Sequence, residues 1–152
     1  MHIEQLLSPE RIGCHISASS KKRTLEQLSE LLQDGAGVED KCEIFDALLA
    51  RERLGTTGFG HGVAIPHGRL KSLKDPIAAF ITLEPGVDFD AVDHSPVDLI
   101  VALLVPDDSA DTHIELLSQI AEMLRDPELT RELRSAANSA AIIEKLHNWK
   151  SH

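Results

Sequence analysis

The sequence predicts an α/β fold, a single domain spanning residues 1–152 in which a β-sheet of about five strands is flanked by helices on both faces. Three observations predict it. Residues 97–105, Val-Asp-Leu-Ile-Val-Ala-Leu-Leu-Val, form the most apolar run of the chain. A near-continuous apolar run rich in β-branched residues marks a central strand covered on both faces. A second such run, Ile77 to Leu83, lies between proline-containing turns. Amphipathic helical stripes precede and follow these strands, so material is available to cover both sides of a sheet.

In chain order, residues 12–16 read as a short strand. Ser19 or Ser20 then caps a helix whose Leu25, Leu28, Leu31 and Leu32 recur at spacings of three and four, with Gly35 and Gly37 as the stop. A second helix is expected from about Glu39 to Arg53, with Cys42, Phe45, Leu48 and Leu49 as its apolar stripe. Arg51 and Arg53 fall in its last turn, where positive charge complements the helix dipole. A glycine-punctuated loop follows, with Gly55, Gly58, Gly60 and Gly62. It leads into a short strand, Val63-Ala64-Ile65, which is expected to stop at Pro66-His67-Gly68 because proline fixes its own φ and lacks an N–H.

Beyond the 77–83 strand, Glu84-Pro85-Gly86 reads as a turn and residues 87–95 as an acidic, irregular segment with at most a short edge strand. After the central strand, Thr112-His113-Ile114-Glu115 matches a capping box, with Thr112 as cap and His113 at the first helical position. Ile114, Leu117, Ile120, Ala121 and Leu124 are then its expected buried stripe. Asp126-Pro127 starts a further helix, Ser139 to His147 a last one, and residues 150–152 are expected to fray.

Composition narrows the function. A net charge of −10 argues against nonspecific binding to DNA or anionic membrane, where a basic face is expected, and four Phe, one Trp and no Tyr are a poor supply for base stacking. No apolar run approaches the roughly 20 residues needed to cross a bilayer. The N-terminus lacks a secretory pattern, and Cys14 and Cys42 read as small buried hydrophobes in a reduced, cytoplasmic setting.

The chemistry concentrates on two histidines. His67 stands at a strand end between a stiff residue and a flexible one. His113 lies at a helix N-terminus, where unpaired N–H groups and the dipole favour an anion. Both are expected at the rim of the sheet where ligands bind in α/β folds. A partly neutral imidazole is a nucleophile without a separate base, and the pair would suit a phosphoryl group. His2, His15, His94, His147 and His152 read as solvated or structural, and His61 as intermediate. A metal site from His61, His67 and His113 lacks the i, i+4 pairing of helical zinc sites, and none is expected. No cofactor is expected.

Arg51-Glu52-Arg53-Leu54-Gly55-Thr56-Thr57-Gly58 followed by Gly60-His61-Gly62-Val63-Ala64-Ile65-Pro66-His67-Gly68 resembles the phosphotransferase-system enzyme IIA domains of the mannitol/fructose class. The likeness is greatest to the nitrogen-regulatory branch, and Pro96 to Pro106 and Thr112-His113 share it. The resemblance implies a mixed sheet with helices on both sides and a phosphoryl group carried on Nε2 of His67. It also implies that His113 and Arg51 contact that group and that Thr57, Gly68 and Thr112 surround it. The implied donor is a small HPr-like histidine phosphocarrier, charged from phosphoenolpyruvate. The implied output is phosphorylation-dependent binding to regulatory targets such as potassium-transport proteins or sensor kinases. The alternatives are a sugar-transport enzyme IIA that passes phosphate to an enzyme IIB, and a protein-binding module without phosphotransfer.

Overall fold

The computed structural model describes residues 3–37, 41–108 and 110–149. The element that orders the molecule is β6 (Val97–Pro106), which pairs antiparallel with β5 (Ile77–Val87) on one side. On the other side it pairs parallel with β3 (Val63–Ala64) and β4 (His67–Leu70). β1 (Ile12–Ile16) lies parallel on β5, and β2 (Gly58–Gly60) lies antiparallel on β3. The result is a mixed sheet of six strands.

Side chains of β6 alternate between two cores, as the strand period of two requires. Leu99, Val101, Leu103 and Val105 enter one core with Leu116 and Ile120 of α3 (Ala110–Leu124), Leu133 of α4 (Pro127–Ser135) and Ile142 of α5 (Ser139–Asn148). Ile100, Ala102 and Leu104 enter the other, with Leu25, Leu28 and Leu32 of α1 (Lys21–Ala36) and Ile44 and Leu48 of α2 (Lys41–Arg53). Helices therefore cover both faces.

Several elements differ from the sequence reading. The chain does not turn at Pro66-His67-Gly68. Val63 and Ala64 pair with Leu99 and Ile100, and His67 to Leu70 pair with Leu103 to Pro106 in the same register. Pro66 interrupts one parallel strand without ending it, since its carbonyl still accepts from the Leu103 N–H. Glu84-Pro85-Gly86 is likewise strand and not turn, because a register shift between Thr82 and Val87 absorbs the proline.

Helix α1 starts on Ser20, whose hydroxyl accepts from the Arg23 N–H, and stops at Gly37 in the left-handed region at φ 69°. In α2 the buried residues are Ile44, Leu48 and Glu52, not the Cys42-Phe45-Leu49 stripe. Cys42 is exposed and Cys14 only partly buried, which corrects the expectation of two buried cysteines. The expected start at Glu39 and the fraying of residues 150–152 lie outside the described residues.

Helix α3 begins at Ala110, so Thr112 stands inside the first turn instead of capping it. Asp111 occupies that first turn, where a carboxylate suits the dipole. Ile120 and Leu124 of the expected stripe are buried, and Leu117 and Ala121 pack partly buried against the same core. His113, Leu116, Ile120 and Met123 face inward, and Ile114 is 63% exposed.

Candidate active site

His67 is the first residue of β4 and shares a strand face with Arg69 two positions on. Their register partners, Leu103 and Val105, point to the α3 side of the sheet. The intervening Gly68 points toward α2, where an added Cβ would lie 3.1 Å from the Ala47 Cβ and 3.2 Å from its backbone. That close approach is why a glycine stands there. It brings the end of α2 alongside β4, which has no second strand partner among the described residues. Arg51 reaches past this edge and donates from Nε to His67 Nε2 at 3.2 Å, while a terminal N–H of the same guanidinium donates to the Gly55 carbonyl at 2.9 Å.

The tautomer of His67 follows from its other contact. Nδ1 lies 2.8 Å from the Ile65 carbonyl, which can only accept. Nδ1 therefore carries the proton and Nε2 a lone pair. Burial holds the His67 pKa below the ordinary imidazole value, and Arg51 and Arg69 act in the same direction against the Ile65 hydrogen bond and Glu52. The ring is thus neutral at pH 7, with a nucleophilic nitrogen turned to the cleft.

His113 closes the cleft from α3. The two rings stand edge to face, 5.1 Å between centroids at an interplanar angle of 74°. Arg69 donates from Nε to His113 Nδ1 at 3.2 Å. Burial, then His67 where it is protonated, and then the charges of Arg69 and Arg51 push the His113 pKa from 6.5 down to about 4. Its Nε2 is buried and has no hydrogen-bond partner among the described residues. With Ala50, Leu54 and Gly68 these residues line a depression of about 490 Å³.

The structure therefore brings together His67, His113, Arg51 and Gly68. Thr57 is elsewhere engaged. It is buried, and its hydroxyl and backbone N–H both donate to the Glu52 carboxylate, which also pairs with Lys21 at 2.6 Å. Thr112 neither caps α3 nor lines the depression. His61 sits on the turn between β2 and β3, at the far end of the interrupted strand, so the His61-His67-His113 metal set is not assembled. Among the described residues no three His, Cys, Asp or Glu side chains are grouped to hold a metal, and no helix is long and apolar enough to cross a membrane. Arg69 was absent from the sequence reading. The signal for it was the strand period itself: once His67 is in a strand, residue 69 shares its face.

Two neutral imidazoles and two guanidiniums around one depression on a mixed α/β sheet define an anion-accepting histidine site. The chain matches the family described as "Phosphoenolpyruvate-dependent sugar phosphotransferase system, EIIA 2" over residues 5–149. It is 45% identical over 144 residues to a nitrogen regulatory protein of Pseudomonas aeruginosa, covering 95% of this chain and 94% of that one. It is 39% identical over 145 residues to the nitrogen regulatory protein of Klebsiella oxytoca, covering 95% and 89%. The crystal structure of nitrogen regulatory protein IIA-Ntr from Neisseria meningitidis superposes with a TM-score of 0.90 at 36% identity, over 95% of this chain and 98% of that one. The protein belongs to the EIIA type-2 family of the phosphotransferase system.

Proposed function

We propose that the whole chain is one cytoplasmic enzyme IIA domain in which His67 Nε2 accepts a phosphoryl group from an HPr-like histidine phosphocarrier. As the new bond forms from the Nε2 lone pair, the donor's N–P bond breaks and its electron pair stays on the donor's ring nitrogen. No proton moves at His67, because Nδ1 keeps its own against the Ile65 carbonyl. Arg51, which covers the Nε2 lone pair at rest, must leave that nitrogen and can turn its N–H groups to the phosphoryl oxygens. The observation that carries this reading is the pairing of a nucleophilic Nε2 with a second, neutral imidazole and two guanidiniums at one depression. Such fixed charges stabilise the equatorial oxygens in either direction of transfer.

The output is regulatory. Relatives 45% and 39% identical are named nitrogen regulatory proteins. The bound phosphoryl group would alter the charge of the cleft and its lining, where Leu54 is exposed. Targets such as a potassium transporter or a sensor kinase would thus distinguish the two forms.

Incubation with phosphoenolpyruvate and the two upstream proteins should place an acid-labile phosphoryl group on the wild type and none on His67→Ala. His113→Ala should be phosphorylated more slowly, still at residue 67. An unlabelled wild type, or a labelled His67→Ala, would refute the assignment. A target captured equally by both forms would refute the regulatory output.

A further inference from the structure

We infer that Arg69 is a positioning residue that holds His113 as the tautomer with its proton on Nε2, aimed at the phosphoryl group on His67. The inference rests on phosphoryl acceptance at His67 for its purpose, but not for the tautomer itself.

A guanidinium has N–H donors and no acceptor, and it stays protonated in proteins. The contact from Arg69 Nε to His113 Nδ1, at 3.2 Å, therefore requires a lone pair on Nδ1. A neutral imidazole has one N–H, so the proton must be on Nε2. That atom is buried and has no partner among the described residues. Buried donors are almost always paired, and one that is not calls for an acceptor that arrives from outside.

The neighbouring geometry says which acceptor. His67 spends its Nδ1 on Ile65, which leaves Nε2 as its only reactive nitrogen, and the two rings meet edge to face at 5.1 Å. A phosphoryl group on that nitrogen brings three acceptor oxygens into the depression both rings line. With the proton on Nε2, His113 donates to one of those oxygens. In the other tautomer it would present a lone pair to an anion, and the contact would turn repulsive. The choice of tautomer thus sets the sign of the interaction. Arg51 does not make it: its Nε and one terminal N–H go to His67 and Gly55, and the contact to His113 Nδ1 is from Arg69. Arg69 can, because the strand period sets it on the same face as His67, two residues on.

The test reads the tautomer on the whole unphosphorylated chain, then the transfer. Long-range ¹H–¹⁵N correlations of the His113 ring at pH 7 should show protonation on Nε2 alone in the wild type. In Arg69→Met the Nδ1 and Nε2 shifts should converge toward a mixture, and in Arg69→Lys, which keeps a donor, they should return. Arg69 is exposed, so the Met variant should fold as the wild type does. Its phosphoryl acceptance from the carrier should fall by about tenfold in kcat, with KM for the carrier little changed, and Lys should restore it. A His113 protonated on Nδ1 in the wild type, or a tautomer unmoved in Arg69→Met, would overturn the inference. So would a loss confined to KM, which would make Arg69 a docking contact. A wild type that shows the Nε2–H tautomer yet takes up no phosphate would overturn the phosphoryl reading while leaving the Arg69 hydrogen bond in place.

Discussion

At Nε2 of His67 a guanidinium N–H occupies the position that the proposed transfer assigns to phosphorus. On that proposal Arg51 Nε and the incoming group would compete for one lone pair, which the arginine holds in the unphosphorylated chain. The same side chain is tethered to the Gly55 carbonyl, which keeps it beside the ring after it yields. Arg51→Met should therefore remove transition-state stabilisation more than nucleophilicity. We expect kcat for phosphoryl acceptance to fall by about a hundredfold, the usual cost of one preorganised donor. Rapid-quench kinetics with the phosphorylated carrier would measure it, and an unchanged rate would remove Arg51 from the chemistry. At this scale the sequence was partly legible. His67 stood out because Ile-Pro-His-Gly follows a glycine-rich loop, whereas Arg51 was singled out only by the family resemblance, the helix end offering Arg51 and Arg53 alike. Arg69 was hidden by the same motif, since proline and glycine on either side of His67 read as a turn.

Among the elements, the interrupted β3–β4 strand and α2 set the site. Gly68 lets α2 lie against β4, with the Ala47 backbone 3.2 Å from where a Cβ would sit, inside ordinary van der Waals distance. Gly68→Val should push α2 away, carry Arg51 from His67, and destabilise the fold by about 1–3 kcal/mol, the usual range for overpacking. Thermal unfolding together with the transfer rate would check both effects; a variant as stable and as fast as the wild type would contradict the packing account. Helix α1 was legible from cap to stop because Ser20 and Gly37 act locally. The strand at 97–106 was legible because no water-facing position interrupts most of its length. The stripe of α2 was not, because its inward side includes Glu52, a carboxylate buried with Thr57 and Lys21 from two other segments. The capping box at Thr112 misled for a related reason: a helix starting at Ala110 makes the Thr-x-x-Glu pattern incidental.

Over the whole molecule, one strand divides two cores, and the site sits where helices of both layers meet at the strand paired beside it. Building the site there has a cost that depends on pH. His113 in the folded protein titrates at about 4 against an ordinary 6.5, and His67 is shifted in the same direction. As pH falls below about 6.5 the unfolded chain binds protons that the folded chain refuses, so stability must decline toward pH 4. His113→Gln removes one titrating group, and its unfolding free energy should fall less steeply over that window, by on the order of 1 kcal/mol per pH unit. Urea unfolding at several pH values would show it; parallel slopes for the two proteins would contradict the buried, neutral ring. The α/β class and its two helical layers were legible in the alternation of apolar runs. The continuous register across Pro66 was not, because it depends on β6 lying alongside, a pairing that local sequence does not encode.

The most direct measurement is the identity of the nitrogen that bonds to phosphorus. After phosphorylation of the ¹⁵N-histidine-labelled protein, the ring shifts and nitrogen–phosphorus coupling of His67 should locate the phosphoryl group on Nε2, with Nδ1 still protonated against Ile65. Attachment at Nδ1 of His67, or at either nitrogen of His113, would contradict the account.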